Sequence, residues 1–167
     1  IIALIAITIY LTIMFRKISK VINPWSLGLA TIIASSHDLL FPMAIFAYLG
    51  KIRGIEIDAG MIAVALTILG YSVNDTVVVF DRIRENILTS SERNFNNIVH
   101  LSIKQTLFRS LSTSIATLLS LIAIFWYGGE TLRNFSLALI IGVASGAYSS
   151  ISLASPILMF LPKKVNY

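Results

Sequence analysis

A polytopic α-helical membrane bundle is the fold class this sequence predicts, and three observations predict it. Hydrophobic residues fill 56% of the 167 positions and charged residues only 13%, against roughly 25% charged in soluble domains. Mean hydropathy is +0.84. Four long apolar runs, at 25–49, 61–80, 111–127 and 135–161, can each cross a hydrocarbon core about 30 Å thick at about 1.5 Å per helical residue. No alternating segments of strand length are visible, and backbone groups in lipid must be paired within their own segment, so the spans are helices.

The first apolar run, at 1–15, is shorter than the roughly 20 residues a crossing needs. The chain starts there at Ile1 without Met, so the expectation is a chain entered part-way through a helix. A signal peptide does not fit, because no basic segment precedes the run and no small-residue cleavage site follows it. Basic residues fix the orientation. Arg16, Lys17 and Lys20 follow the first run, Arg82, Arg84, Arg93, Lys104 and Arg109 the third, and Lys163 and Lys164 the fifth. Only Lys51, Arg53 and Arg133 fall on the other side. The positive-inside rule makes the richer side cytoplasmic, with the C-terminus there and the start of the chain outside. The formal charge of +5 therefore belongs to loops facing an anionic leaflet. No aromatic-basic strip suggests a nucleic-acid partner.

The second run places His37 and Asp38 near its middle. An ionised carboxylate there costs about 2.5 to 3.5 kcal/mol on insertion scales. Asp38 must therefore face other helices, either as a neutral hydrogen-bonded group or in a proton relay with His37. The third run carries Asp75 five residues before Phe80, the end of its apolar stretch, which puts it on the order of 7 to 9 Å inside the cytoplasmic boundary. Arg109, just before the fourth run, stands at a similar level. Its guanidinium either snorkels outward or reaches Asp75.

The 81–110 segment is the longest loop. Thr89 and Glu92 have capping-box spacing, and Phe95, Ile98, Val99, Ile103 and Leu107 recur at helical intervals. Two readings stay open: an amphipathic helix on the cytoplasmic membrane surface, or a capped lead-in to the next span. The fourth run has hydroxyls at Ser110, Thr113, Ser114, Thr117 and Ser120, one face suited to helix packing or to supporting water. The fifth repeats small residues every fourth position, Ala138, Gly142, Gly146, Ser150 and Ala154, a pattern for close helix contact. Gly70 joins Gly142 and Gly146 as a packing glycine.

Catalytic motifs are missing. His37 and His100 form no zinc motif, cysteine is absent, and no HExxH, GxSxG or GxxxxGK[ST] occurs. The aspartates sit in "SSHD" and "SVND", not in the Tyr-Asp and Gly-x-Gly-Asp contexts of intramembrane aspartyl proteases. The expectation is a non-enzyme without cofactor or metal.

The stretch "GYSVNDTVVVFDRIREN" at 70–86 resembles the signature of the SecD/SecF family of protein-export membrane proteins, on its SecF side. Further matches follow in order: "HD" at 37–38, "IEID" at 55–58, "QTLFRSLSTS" at 105–114, "GG" at 128–129 and "FSLALIIGVASG" at 135–146. Together they cover nearly the whole chain. The SecD side typically ends the first motif in a phenylalanine-glutamate version, so Asn74, Asp75 and Asp81 favour SecF. The resemblance implies half of an RND-like transporter, with six helices per subunit and a pseudo-twofold SecD–SecF pair. The five runs match helices two to six; the first helix and the extracytoplasmic domain after it are missing from the pattern. Whether SecF is separate or fused to SecD stays open.

The resemblance also implies a function. Proton movement would drive shape changes that assist an exported polypeptide across the inner membrane. Asp75, Arg109 and Asp38 would be the proton-coupling residues, supported by His37, Ser72, Asn74, Thr113 and Thr117. The implied partners are SecD, the SecYEG translocon, YajC, YidC, the exported chain, protons and membrane lipids. The rivals are a fragment of an RND-type small-molecule exporter and a passive scaffold for SecD.

Overall fold

The structure, a computed structural model, describes residues 2–14, 24–54, 60–92 and 94–160. Arg16, Lys17, Lys20, Arg93, Lys163, Lys164 and the 55–58 motif lie outside the described residues. Every described element is helical: α1 (Ile2–Met14), α2 (Pro24–Arg53), α3 (Gly60–Thr89), α4 (Phe95–Tyr127), α5 (Gly129–Ser149), a π-helical segment (Ser150–Ala154) and α6 (Ser155–Phe160). Four stretches are long and apolar enough to cross a membrane: Trp25–Arg53, Gly60–Thr89, Phe95–Tyr127 and Leu132–Phe160. The last combines most of α5 with the π segment and α6. The 13-residue α1 packs on α2.

Local chemistry explains the ends. Pro24 opens α2, where its missing N–H costs no hydrogen bond. Lys51 and Arg53 in the last turn complement the helix dipole, and Gly54 at φ 66° closes the helix by donating its N–H to the Gly50 carbonyl. Pro156 cannot supply the N–H that Ser152 O would accept in an α-helix, and the π turn just before it absorbs the mismatch. Ser155 Oγ donates to Ser150 O there, at 3.1 Å. Pro42 leaves the carbonyl of Asp38 without its helical donor in the same way.

The expected 81–110 loop is mostly helix. α3 continues nine residues past Phe80 and α4 begins at Phe95, which leaves a short connection. On the α3 extension, Asp81–Arg84 and Arg82–Glu85 pair at i,i+3, contacts worth a few tenths of a kcal/mol each, on the order of 0.3 to 0.5. Phe95, Ile98 and Val99 are buried, and Phe95 and Val99 cluster with Val79, Phe80 and Ile83. Phe95 and Val99, from the apolar face read as a candidate for the membrane surface, therefore close a helical hairpin with α3, while Leu107 of that face is exposed. The cap also differs from the Thr89/Glu92 box. Asn94 is the N-cap and accepts from Asn96 N at 3.0 Å, while Glu92 accepts from Asn94 N at 2.8 Å and from Asn97 Nδ2 at 3.2 Å. Thr89 is still inside α3, donating to the Glu85 carbonyl.

Two apolar clusters fill the bundle. One joins Leu27, Ala30 and Ala34 of α2 to Val79, Phe80 and Ile83, Phe95 and Val99, and Ala154 and Leu158. The other joins Phe46 to Met61, Val64 and Ile68, Leu121, and Ala138, Leu139 and Val143. On every crossing helix the stretch between its contributions to the two clusters is polar: Ser35 and Asp38 on α2, Ser72, Asp75 and Thr76 on α3, Ser110 and Ser114 on α4, Ser145, Ser149 and Ser150 on the last crossing. A buried polar layer thus crosses the middle of the bundle, between two apolar cores.

Candidate functional site

Asp38 lies near the midpoint of α2 and Asp75 near the midpoint of α3. α3 continues beyond the apolar run that ends at Phe80, and Asp75 belongs to the buried polar layer between the two apolar cores. The end of that run still lies five residues beyond Asp75.

Asp38 is fully buried and has partners on both carboxyl oxygens. Ser72 Oγ of α3 and Ser149 Oγ of α5 both donate to Oδ2 at 2.5 Å. Ser145 Oγ donates to Oδ1 at 3.2 Å, and His37 Nδ1 lies 3.1 Å from the same oxygen. The imidazole stacks on Phe41, centroids 5.9 Å apart, and is 38% exposed, so it connects the buried carboxyl to the outside of the bundle. The small residues of α5 make this junction possible. A Cβ at Gly142 would overlap the Ile68 side chain, and one at Gly146 would sit 3.4 Å from Ser72 Cβ and 3.7 Å from Asp38 Oδ2. All five members of the repeat, Ala138 to Ala154, are buried.

Asp75 is held more sparsely. Ser110 Oγ of α4 donates to Oδ1 at 2.6 Å. Oδ2 is buried without a hydrogen-bond partner among the described residues. Ser150 stands beside the carboxyl, with its hydroxyl engaged by Thr76 Oγ1 at 3.1 Å and by the Gly146 carbonyl at 2.9 Å. Among the described residues Asp75 thus has one firm hydrogen-bond donor, where Asp38 has partners on both carboxyl oxygens.

Arg109 is not paired with Asp75. It is exposed and lines a cleft of about 370 Å³ with Asp81, Arg82, Glu85, Gln105 and Thr106. Arg82 is already engaged there, with Nε donating to Gln105 Oε1 at 2.7 Å and Nη1 to Glu85 Oε2 at 2.5 Å. Val78 and Thr106 in the cleft wall lie about one helical turn from Asp75 and Ser110, so the cleft reaches toward the central carboxyl.

Several other expected site residues are placed elsewhere. Asn74 and Gly70 share an exposed face of α3, and a Cβ at Gly70 would meet nothing within 4 Å among the described residues. The hydroxyl face of α4 divides. Ser110 and Ser114 turn inward, Ser114 accepting from Tyr71 OH at 3.2 Å, whereas Thr113 and Thr117 bond carbonyls of their own helix. Positions 110 and 114 are four apart and share one face, while 113 points about 60° away from 110. Ser145, Ser149 and the pairing of Ser110 with Asp75 were not distinguished by sequence reasoning. The signal available was serine itself, recurring at i,i+4 among small residues. No group of three or more metal-binding side chains occurs among the described residues.

Three comparisons with known proteins agree. The family model for the C-terminal part of the protein export membrane proteins SecD/SecF matches residues 1–164. A protein translocase subunit SecF from Thermobaculum terrenum is 48% identical over 150 residues, covering 90% of this chain and 46% of that protein. One from Synechocystis is 45% identical over 155 residues, covering 93% and 47%. A crystal structure of SecDF in a super-membrane-facing form matches with a TM-score of 0.77 at 39% identity, covering 94% of this chain and 20% of that one. The chain spans about half the length of the curated relatives it matches.

Proposed function

The chain belongs to the SecD/SecF family of protein-export membrane proteins, and on that premise we propose that it is the membrane part of a SecF-type subunit that uses the proton motive force to assist polypeptide translocation across the inner membrane. The observation that carries this reading is Asp75: a carboxyl buried in the polar layer of a membrane bundle, with one donor to Oδ1 and, among the described residues, none to Oδ2. Its two protonation states differ by a full charge in a low dielectric, so the contact with Ser110 differs between them. Proton binding at Asp75 thereby alters the α3–α4 contact, and the hairpin carries that change to the far ends of both helices.

Arg109 has a different role from a resting ion-pair partner. It provides a positive charge in the wall of the cleft that approaches Asp75, where it sets the field along the proton's exit and meets the Asp75 carboxylate only after a helix movement. SecD is the proposed membrane partner, and SecYEG, YajC and YidC are the proposed translocation partners. The relatives are SecF subunits, which favours this reading over a small-molecule exporter.

Export into inverted vesicles that carry the full-length subunit with its SecD partner tests the reading. Asp75→Asn should abolish the increment that a proton gradient adds to export while the complex still assembles. A full increment in that variant would leave a passive scaffold as the better description.

A further inference from the structure

The polar layer holds two carboxyls in unlike settings. Asp38 has partners on both oxygens, from three helices; Asp75 has one firm contact, to a fourth. From α2 the group facing Asp38 is His37, from α3 it is Ser72, and from α5 Ser145 and Ser149. Among the described residues no Lys, Arg, Asp or Glu side chain is bonded to it. Asp38 thus ties α2, α3 and α5 together at the depth where the two apolar cores separate.

Two links run from this junction toward Asp75. Ser72 lies one turn before Asp75 on α3. Ser149 precedes Ser150, which engages Thr76 Oγ1 and stands beside the Asp75 carboxyl. We infer that Asp38 is a positioning residue: by joining α2, α3 and α5 through Ser72, Ser145 and Ser149, it holds the Asp75 face of α3 against the π segment, so that proton binding is expressed at the α3–α4 contact. The inference rests on the proton-coupling reading of Asp75 and gives Asp38 a role distinct from carrying the proton.

The two roles respond differently to substitution. Asparagine at position 38 keeps an acceptor oxygen for the hydroxyls, and its amide can donate to a serine oxygen or a neutral imidazole, because hydroxyls both donate and accept. The junction survives and only the titratable group is lost. Ser72→Ala with Ser149→Ala does the reverse: it keeps the carboxyl and removes both donors to Oδ2.

The test uses the full-length subunit with its SecD partner in vesicles, with two readouts. One is gradient-driven proton flux. The other is the carboxyl stretch of Asp75 in acid-minus-alkaline infrared difference spectra, identified by its loss in Asp75→Asn. A positioning role predicts that Asp38→Asn lowers flux by about threefold or less and keeps the Asp75 band. It predicts that the double serine variant, in assembled complex, lowers flux by about tenfold or more and displaces the band in frequency. Asp38→Asn as inactive as Asp75→Asn would make Asp38 a proton carrier and overturn the inference. An unmoved Asp75 band in the double variant would overturn it too, leaving a contact that serves stability alone. If Asp75→Asn itself retains full flux, the proton-coupling reading fails on a variant that leaves Asp38 untouched.

Discussion

Ser110 and Thr113 are three residues apart on α4, yet substitution should separate them sharply. Ser110→Ala removes the one hydroxyl that donates to Asp75 Oδ1. A buried acceptor left unsatisfied costs about 1 to 3 kcal/mol, so the thermal midpoint of the complex should fall by several degrees and gradient-dependent export should drop severalfold. Thr113→Ala removes only a bond to the carbonyl of its own helix on an exposed face, and both measurements should stay close to wild type. Equal effects from the two variants would mean that the Asp75–Ser110 bond is not the contact that matters. His37 offers a further comparison. Its stacking on Phe41 requires only an aromatic ring, whereas its contact with Asp38 requires Nδ1. His37→Phe should therefore cost more than Phe41→Leu in gradient-dependent export, read in the same vesicles.

At the scale of elements, the α3–α5 contact depends on what α5 lacks. A leucine at 142 has no room beside Ile68, and overpacking of this kind costs about 1 to 3 kcal/mol. Gly142→Leu should lower the yield of assembled complex and its melting temperature. Gly146→Leu should do so as well, with an added functional loss, since the new side chain enters the junction of Ser72 and Asp38. Gly70→Leu is the internal control: none of the described residues lies within reach of its Cβ, so the stability of the bundle should not change. Purified yields and thermal unfolding of the three variants decide the order. The α4 lead-in belongs to the same scale. Phe95 and Val99 bury against α3, so the hairpin extends beyond the apolar runs.

For the whole molecule, the described residues of the four crossings leave one face of α3 unoccupied. Ala63, Thr67, Gly70 and Asn74 are all exposed there, small or polar at helical spacing and at membrane depth. Close approach of another helix suits such a stripe, and the amide of Asn74 would be expensive against lipid. On the proposed assembly with SecD, Gly70→Leu should weaken co-purification of the two subunits while leaving this bundle intact. Undiminished co-purification would place the SecD contact elsewhere. Orientation is a second property of the whole. Because ten of thirteen basic residues fall on one side, tags inserted after Ser91 or after Lys164 should report a cytoplasmic location, and one after Gly54 an outer one. A tag after Ser91 that is active outside would reverse the topology.

Hydropathy by itself determined the solvent, the helical class and the four crossings, because burying backbone in lipid leaves no other architecture for runs of that length. The family was legible as well, from a motif order spread over nearly the whole chain. Asp38 and Asp75 stood out as polar exceptions whose cost had to be offset, and the small-residue repeat on the last crossing was visible as a period of four. What offsets that cost was decided by tertiary structure. Ser72, Ser110, Ser145 and Ser149 are ordinary in sequence, since serine is tolerated on any helix face, and only the packing angles bring them to the two carboxyls. The reach of α3 was decided in the same way: a helix ends where its hydrogen bonds and caps end, not where its apolar run ends, so α3 continues to Thr89. The separation of Arg109 from Asp75 is the third such decision: charge complementarity in sequence permits a pair, but facing side chains of α3 and α4 at that level put a serine where the arginine could have been.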